Sequence, residues 1–473
     1  MAQTIGRHVL RVPVPIRHSA RNHRIELCRE MQFNPLQCLL RRSRGSETYM
    51  AALSIHTSDD GPVRDPRRRR TRALSVALVS VMLTAACSSV GGGSVATSID
   101  EMDPVVLKFA TTGHAQDNMS TGFAAFQEAI NERTGGKVTF EPYFSSSLLG
   151  GTDMLSGVSD GVADMGFLVP AYYPEELPVS AWMGGLGNLV TGSTVHDVIA
   201  GGAASYESTL SSAAIHDQYT RQGVEPLLSV SSTALNLLCN NIIETPAQAK
   251  GVETRSFGSI NTALLKDLGM VPVDVAASEA YEAVQRRVID CLVNSPSGAV
   301  DLGLTEVTSE YIPVNFPQQQ ELTIVLNSRS WEGLPGDVQD IFREESANWA
   351  KVVWGKYLEA HAGFGALLSG ANSKIRIDDV SKFAPALDAK RQAWLDDMPN
   401  NAPAAIENPQ KVIDAYRARV DYWTQALEQD GYALNVGVDR EGVLKGFAQV
   451  EDFDINPFFD SHKAELLSAT TPK

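Results

Sequence analysis

Residues 251–296 read GVETRSFGSINTALLKDLGMVPVDVAASEAYEAVQRRVIDCLVNSP, and the alternation inside that stretch decides the fold class. VETRSF (252–257) has the look of a strand, and INTALLKDLG (260–269) reads as a helix closed by Gly269. VPVDVA gives a further strand, SEAYEAVQRR a second helix, and VIDCLVN (288–294) a third strand. Strand and helix in regular alternation argue for α/β architecture.

The same order appears upstream. VVLKFAT (105–111) is a β-rich apolar run, followed by a polar turn from Gly113 to Asn118. STGFAAFQEAINERTGG then places Phe123, Phe126 and Ile130 at i, i+3 and i+7 and stops on Gly135-Gly136. KVTFEPYF gives a second strand, and LLGGTDMLSGVSDGVADMGFLVP a helix running into a short buried strand at Met165 to Val169. Such an order starts a doubly wound parallel sheet, in which ligands bind beyond the strand C-termini.

Between the two units, VEPLLSV (224–230) and NLLCNN (236–241) read as strands. Downstream, ELTIVLNS (321–328) is a further strand and 334–369 a long helix, with Val338, Ile341, Phe342 and Glu345 opening its stripe and Trp349 and Trp354 placed in the core. Residues 405–429 give another helix, and those beyond Leu434 read as an irregular tail. No repeat of solenoid type is present.

The 473 residues, 43% hydrophobic and 20% charged, are globular in composition and long enough for two or three domains. Residues 1–86 hold 15 Arg, no Lys and 6 acidic residues, so the remaining 387 carry a net −25. A body of that sign disfavours nucleic acid and attachment to anionic lipid through a basic patch, though one buried Arg can still dominate the potential inside a cleft.

Arg67-Arg68-Arg69-Arg70-Thr71-Arg72, the uncharged ALSVALVSVMLTAA of 73–86, and Cys87 form the three parts of an export signal. The apolar run is too short to span a bilayer. Leu83-Thr84-Ala85-Ala86-Cys87 resembles a bacterial lipobox, which implies acylation of Cys87 and an extracytoplasmic, lipid-anchored protein. The Gly-rich 88–103 suits a flexible tether. Residues 1–66 read as an unstructured or misannotated extension, with Met50 as one candidate start. Behind the leader only Cys239 and Cys291 remain besides Cys87, and they form either a disulfide or two buried thiols.

No phosphate loop, HExxH, CxxC or GxSxG motif is present, and His114, His196, His216 and His361 are scattered without ligand spacing, so neither catalysis nor a metal is expected. Gly251-Val252-Glu253-Thr254-Arg255 ends a β-like segment in Arg, and Asn294 ends another. A guanidinium grips a carboxylate through two N–H groups, and an amide adds a donor beside it. From spacing alone a surface ion pair is the simpler account of Arg255.

The 251–296 stretch resembles the signature of the substrate-binding subunits of tripartite ATP-independent periplasmic (TRAP) transporters, the DctP-like proteins: a G-x-K-x-R strand, an "lGa-pv" turn, an "sE-Y-alq" helix start and a "vDg-x-x-N" strand. FQEAINERTGGKVTFEPYFSSSLLGGTDMLSGVSDGVADMGF and YYPEELP match two further blocks, and the resemblance runs from about Val105 to Tyr432. It implies a two-lobed periplasmic-binding fold, type II-like, with crossing strands at the hinge and a long bracing helix. Lobe I is expected over 104–231 plus 321–360, lobe II over 232–320 plus 361–432, with a C-terminal tail over 433–473.

The resemblance further implies capture of a small carboxylate through Arg255, assisted by Asn294, with no cofactor, for integral-membrane transporter subunits driven by an ion gradient. Where many members carry a second cleft Arg this chain has Leu235, and Cys291 replaces the Gly of "vDg". Cys239 and Cys291 then lie on segments leading into one lobe, within reach of a disulfide. Phe257, Leu235, Tyr172, Tyr173 and Trp182 are expected to form an apolar shelf suited to an aromatic or branched monocarboxylate. The rivals are a sensory binding protein feeding a signalling receptor, which neighbouring transporter genes would disfavour, and an extracytoplasmic enzyme, which would need a nucleophile and base in the cleft.

Overall fold

Val105–Ala110 turns Leu107 and Phe109 into the core and leaves Val106 61% exposed, the alternation of a strand with one packed face. The computed structural model describes residues 97–190, 194–382, 384–432, 439–451 and 453–468. The expected export signal, Cys87 and the extension over 1–66 lie outside the described residues, as does most of the tether.

The chain first lays down β1 (Val105–Ala110), β2 (Val138–Tyr143), β3 (Met165–Leu168) and β4 (Val224–Val230). It crosses over 231–234 and builds β5 (Leu235–Cys239), β6 (Glu253–Ser256), β7 (Val271–Asp274), β8 (Cys291–Asn294) and β9 (Glu310–Phe316). It returns over 317–321 for β10 (Leu322–Asn327), and later adds β11 (Arg376–Ile377). Two sheets result, ordered β2-β1-β3-β10-β4 and β11-β9-β5-β8-β6-β7.

Neither sheet is wholly parallel. β1, β2 and β3 run parallel as expected, but β10 is antiparallel to both its neighbours, and β5 is antiparallel to β8 and β9. β10 and β5 are the strands that arrive directly from the opposite sheet through four- or five-residue crossings, and each pairs antiparallel with both its neighbours.

The crossings are tied to each other. Ser232 N donates to Gln319 O at 2.9 Å, and Gln319 N donates to Ser232 Oγ at 2.8 Å. The run Gln318 to Glu321 is buried despite its polarity. Glu321 accepts from Tyr219 Oη at 2.6 Å and Thr323 Oγ1 at 2.9 Å, and burial raises its carboxyl above the usual range.

The helices that position the site, in chain order, are α1 (Asn118–Arg133), α2 (Thr194–Ser211), α3 (Ser259–Asp267), α4 (Pro296–Asp301), α5 (Gly336–Ser369), α6 (Ala384–Asp397), α7 (Pro409–Gln429), α8 (Arg440–Ala448) and α9 (Ile455–Ser468). Asp117 caps α1 by accepting from Ser120 N at 2.6 Å, and Phe123, Phe126 and Ile130 are buried as their spacing requires. Phe123 stacks on Phe109 with centroids 4.0 Å apart. Gly122 lets α5 approach closely, since a Cβ there would come 2.2 Å from the Trp349 ring.

α5 spans about 51 Å at 1.5 Å per residue. Its stretch from Phe342 through Trp349 to Trp354 packs in the core of the first sheet, and Phe364 and Leu368 pack against Leu238, Leu292 and Tyr311 of the second. Glu345, placed in the apolar stripe by sequence, instead pairs with Arg133 at 2.7 Å on the α1 side. Cys239 and Cys291 stand opposite each other on β5 and β8 and are joined as a disulfide, Cα atoms 4.1 Å apart.

The C-terminal region departs from the irregular tail expected of it. α8 and α9 are helices, with Phe447 buried against Tyr311 and Phe364, and Phe459 packed near Trp354. α7, expected in lobe II, packs on the first sheet's side: Tyr416 and Val420 share a cluster with Leu186, and Trp423 shares one with Phe109. Among the described residues no helix is long and apolar enough to cross a membrane.

Candidate functional site

β6 delivers Arg255 to the C-terminal edge of the second sheet, and after Phe257 and Gly258 α3 begins. Gly258 makes that turn at φ +72°, a conformation that costs other residues dearly. Around this edge lies a cleft of about 760 Å³. Thr112, Phe167 and Tyr172 line it from the first sheet, Phe257 and Asp274 from the second, and Gln319 from the crossing.

Arg255 stands just behind the cleft wall, only 2% exposed. Its Nε donates to Val275 O at 2.8 Å and its Nη1 to Val293 O at 3.3 Å, and the guanidinium lies 4.8 Å from the centre of the Phe257 ring. These two hydrogen bonds go to uncharged carbonyls, the Tyr172 hydroxyl adds a side-chain hydrogen-bonding contact, and among the described residues no carboxylate comes within 4 Å. Burial pulls its pKa down, opposed by Tyr172 and Asp274, which favour the charged form. Tyr172 comes from the first sheet's side and Asp274 from the end of β7, so Arg255 sits where the two halves meet.

Asn294 ends β8, one residue past the carbonyl that Arg255 holds, and its Oδ1 accepts from Ser295 N at 2.9 Å at the start of α4. Phe257 and Tyr172 face the cleft from opposite sides.

The rest of the expected apolar shelf is built into the cores. Tyr173 donates from its hydroxyl to Gly151 O at 2.5 Å and accepts from Leu155 N at 3.2 Å, which pins a loop. Trp182 donates from Nε1 to Met398 O at 2.9 Å and packs with Leu177 and Leu186. Leu235 is buried with Phe316 and Leu265 under the second sheet. Each satisfies its polar atom or its apolar surface internally, and none of the three lines the cleft.

Sequence reasoning missed Asp274, Gln318 and Gln319. Asp274 carried a weak signal, an acidic residue ending a strand parallel to that of Arg255. The PQQQE run between two strands marks a loop, and its burial follows only from the two crossings lying side by side.

A second contact joins the halves beside the cleft. Asn118 Nδ2 donates to Asp301 Oδ2. His114 Nδ1 accepts from Gln116 N at 3.2 Å, which places its proton on Nε2, 3.2 Å from Asp301 O. Burial, and after it the nearby Asp117 carboxylate, push Asp301 up to about 7.

The family described as DctP, bacterial extracellular solute-binding protein family 7, matches residues 109–376. The C4-dicarboxylate-binding periplasmic protein DctP of Rhodobacter capsulatus is 26% identical over 253 residues, 52% of this chain and 72% of that protein. DctP6 of Bordetella pertussis, an extracytoplasmic solute receptor binding pyroglutamic acid, superposes with a TM-score of 0.56 at 20% identity over 66% of this chain and 100% of its own. A TRAP solute-binding protein from Rhodoferax ferrireducens, in complex with copurified benzoate, gives 0.55 at 19% identity over 68% and 99%. These structures share the two-lobed fold. The family match spans both sheets, both crossings and the Arg255 edge, and the chain belongs to the DctP family of bacterial extracellular solute-binding proteins, the substrate-binding subunits of TRAP transporters.

Proposed function

We propose that this chain captures a small organic acid in the interlobe cleft, that Arg255 binds the ligand carboxylate with Asn294 beside it, and that the liganded form is delivered to integral-membrane transporter subunits. The observation that carries this reading is the buried guanidinium of Arg255, without an ion-pair partner among the described residues, at the wall of a cleft of about 760 Å³. A buried charge is normally paired, so a binding site that keeps one unpaired is complementary to a charge brought from outside.

The backbone carbonyls of Val275 and Val293 hold the guanidinium plane fixed, and a pre-set donor pair loses less entropy on binding. Phe257 and Tyr172 supply apolar surface from the two sides. Pyroglutamate and benzoate, held by proteins of this fold, are both small carboxylates with a ring. Contact with both lobes would favour the closed arrangement, with motion confined to the two crossings and α5. The protein performs no chemistry in this reading, and Cys87 holds it to the membrane by an acyl chain.

A thermal-shift panel of organic acids on the fragment from Ser88 onward tests it. One acid should raise the melting temperature of the parent and lose its effect in Arg255→Ala. An acid that stabilises both proteins equally sinks the assignment of Arg255.

A further inference from the structure

Asp274 is the one charged side chain among the described residues lining the cleft. It is exposed, at the end of β7, and its strand partner is Ser256, the residue after Arg255. Arg255 Nε is bonded to the carbonyl of Val275, the residue after Asp274. The two opposite charges therefore belong to the same edge of the same sheet, one buried behind the wall and one open to the cleft. They are not an ion pair: among the described residues no carboxylate comes within 4 Å of the guanidinium.

That arrangement bears on what kind of acid fits. A ligand carboxylate drawn to Arg255 enters a space that already holds the Asp274 carboxylate, and like charges a few ångströms apart in a partly desolvated cleft oppose each other. The rest of the molecule adds to the problem, since the whole chain carries a formal −16 and lowers the local concentration of any net anion. A ligand with a carboxylate and a cationic nitrogen has no net charge, meets no long-range repulsion, and can place its nitrogen against Asp274.

We propose that Asp274 is a specificity-determining residue and that the ligand class is a zwitterionic amino acid, its carboxylate on Arg255 and its ammonium on Asp274. The inference rests on the carboxylate reading of Arg255 and adds the second charge. It excludes dicarboxylates as preferred ligands, because the cleft offers a second anion where they carry a second negative group.

Matched probes test it by calorimetry: L-proline against cyclopentanecarboxylate, and L-phenylalanine against 3-phenylpropanoate, each pair differing in the amine. The parent should bind the zwitterion of at least one pair tenfold or more tightly than its anion. Asp274→Asn should erase or invert that ratio while leaving the anion bound at least as well, and Arg255→Ala should weaken both members. A ratio unchanged in Asp274→Asn overturns the role of Asp274, and anions preferred in both pairs overturn the ligand class, with the carboxylate reading still standing if Arg255→Ala abolishes their binding. Binding that survives Arg255→Ala brings down that underlying reading as well, and absence of binding by all four probes overturns the amino-acid assignment.

Discussion

Arg255→Met separates the part a buried guanidinium plays in holding the fold from the part it plays in holding a ligand. In the free protein the substitution leaves the carbonyls of Val275 and Val293 short of a donor, at about 1–3 kcal/mol for each group left fully unsatisfied. It also removes a buried cation whose desolvation costs several kcal/mol. These terms oppose, so the free protein should change by no more than about 2 kcal/mol. In the complex two charge-assisted hydrogen bonds of about 1.5–3 kcal/mol each are lost. Affinity should fall roughly a hundredfold to about twenty-thousandfold. The assay is a pair of melts, with and without the best-stabilising acid at about a hundred times the parent's dissociation constant, where the parent gains about 2.7 kcal/mol. With roughly 360 described residues and about 2.1 cal/mol/K per residue, that gain is a shift of about 3–4 °C. Arg255→Met should gain under about 0.5 kcal/mol, a shift below about 1 °C. A variant that shifts as far as the parent refutes the argument, and one that collapses without ligand shows that the guanidinium is held for the fold.

The disulfide closes a separation of 52 residues between the inner strands β5 and β8, which corresponds to about 4 kcal/mol of unfolded-state entropy; reduction should lower the melting temperature by about 5 °C, and an unchanged scan in reductant would contradict this. Asp301 is raised to about 7 from 3.8 in the fold, so it binds its proton more tightly folded than unfolded. Its contribution is full below about pH 4 and is lost as pH rises through 7. The facing groups are His114 and Asp117 before and at the cap of α1 and Tyr357 on α5, and Asp301→Asn should remove part of the parent's loss of stability between pH 5 and 8; parallel melting curves for the two proteins would show the contact to be inert. Gly187→Ala would set a Cβ 2.1 Å from the Gln318 carbonyl, so one of the crossings must shift; a loss of roughly 1–3 kcal/mol and weaker ligand binding should follow, checked by urea titration and calorimetry.

The α/β order, α1 with its Phe123, Phe126 and Ile130 stripe, and the length of α5 were all legible, because each is a local pattern repeated over ten or more residues. The strand-end positions of Arg255 and Asn294 were legible through motif resemblance, while Tyr173, Trp182 and Leu235 were not separable from cleft-lining residues by composition. An aromatic side chain in an aligned block can face either side of its strand or helix, and only the packing of α7 and Met398 on Trp182 decides which. α8 and α9 were missed for a related reason. At nine and fourteen residues they are short, so the helical pattern is weak until Phe447 and Phe459 find Phe364 and Trp354 on α5. Asp274 and the buried Gln run are polar residues whose meaning comes from neighbours brought together by β5 and β10 crossing between sheets.

The placement of charge and of rigidity in this fold points to where the binding free energy originates. Arg255 is anchored on a sheet whose inner strands are bridged by a disulfide, and two carbonyls hold its plane, so it cannot swing out to water without breaking those bonds. Its desolvation is already incurred in the free protein and is only partly offset by Tyr172 and the more distant Asp274. A carboxylate arriving at that edge therefore recovers an interaction whose cost has been met during folding, which is how preorganisation converts fold stability into affinity. The side that carries Tyr172 is joined to the anchored sheet by two short crossings and α5. In the proposed reading the ligand's charge is met from the anchored half, and its shape by Phe257 and Tyr172 from the two sides.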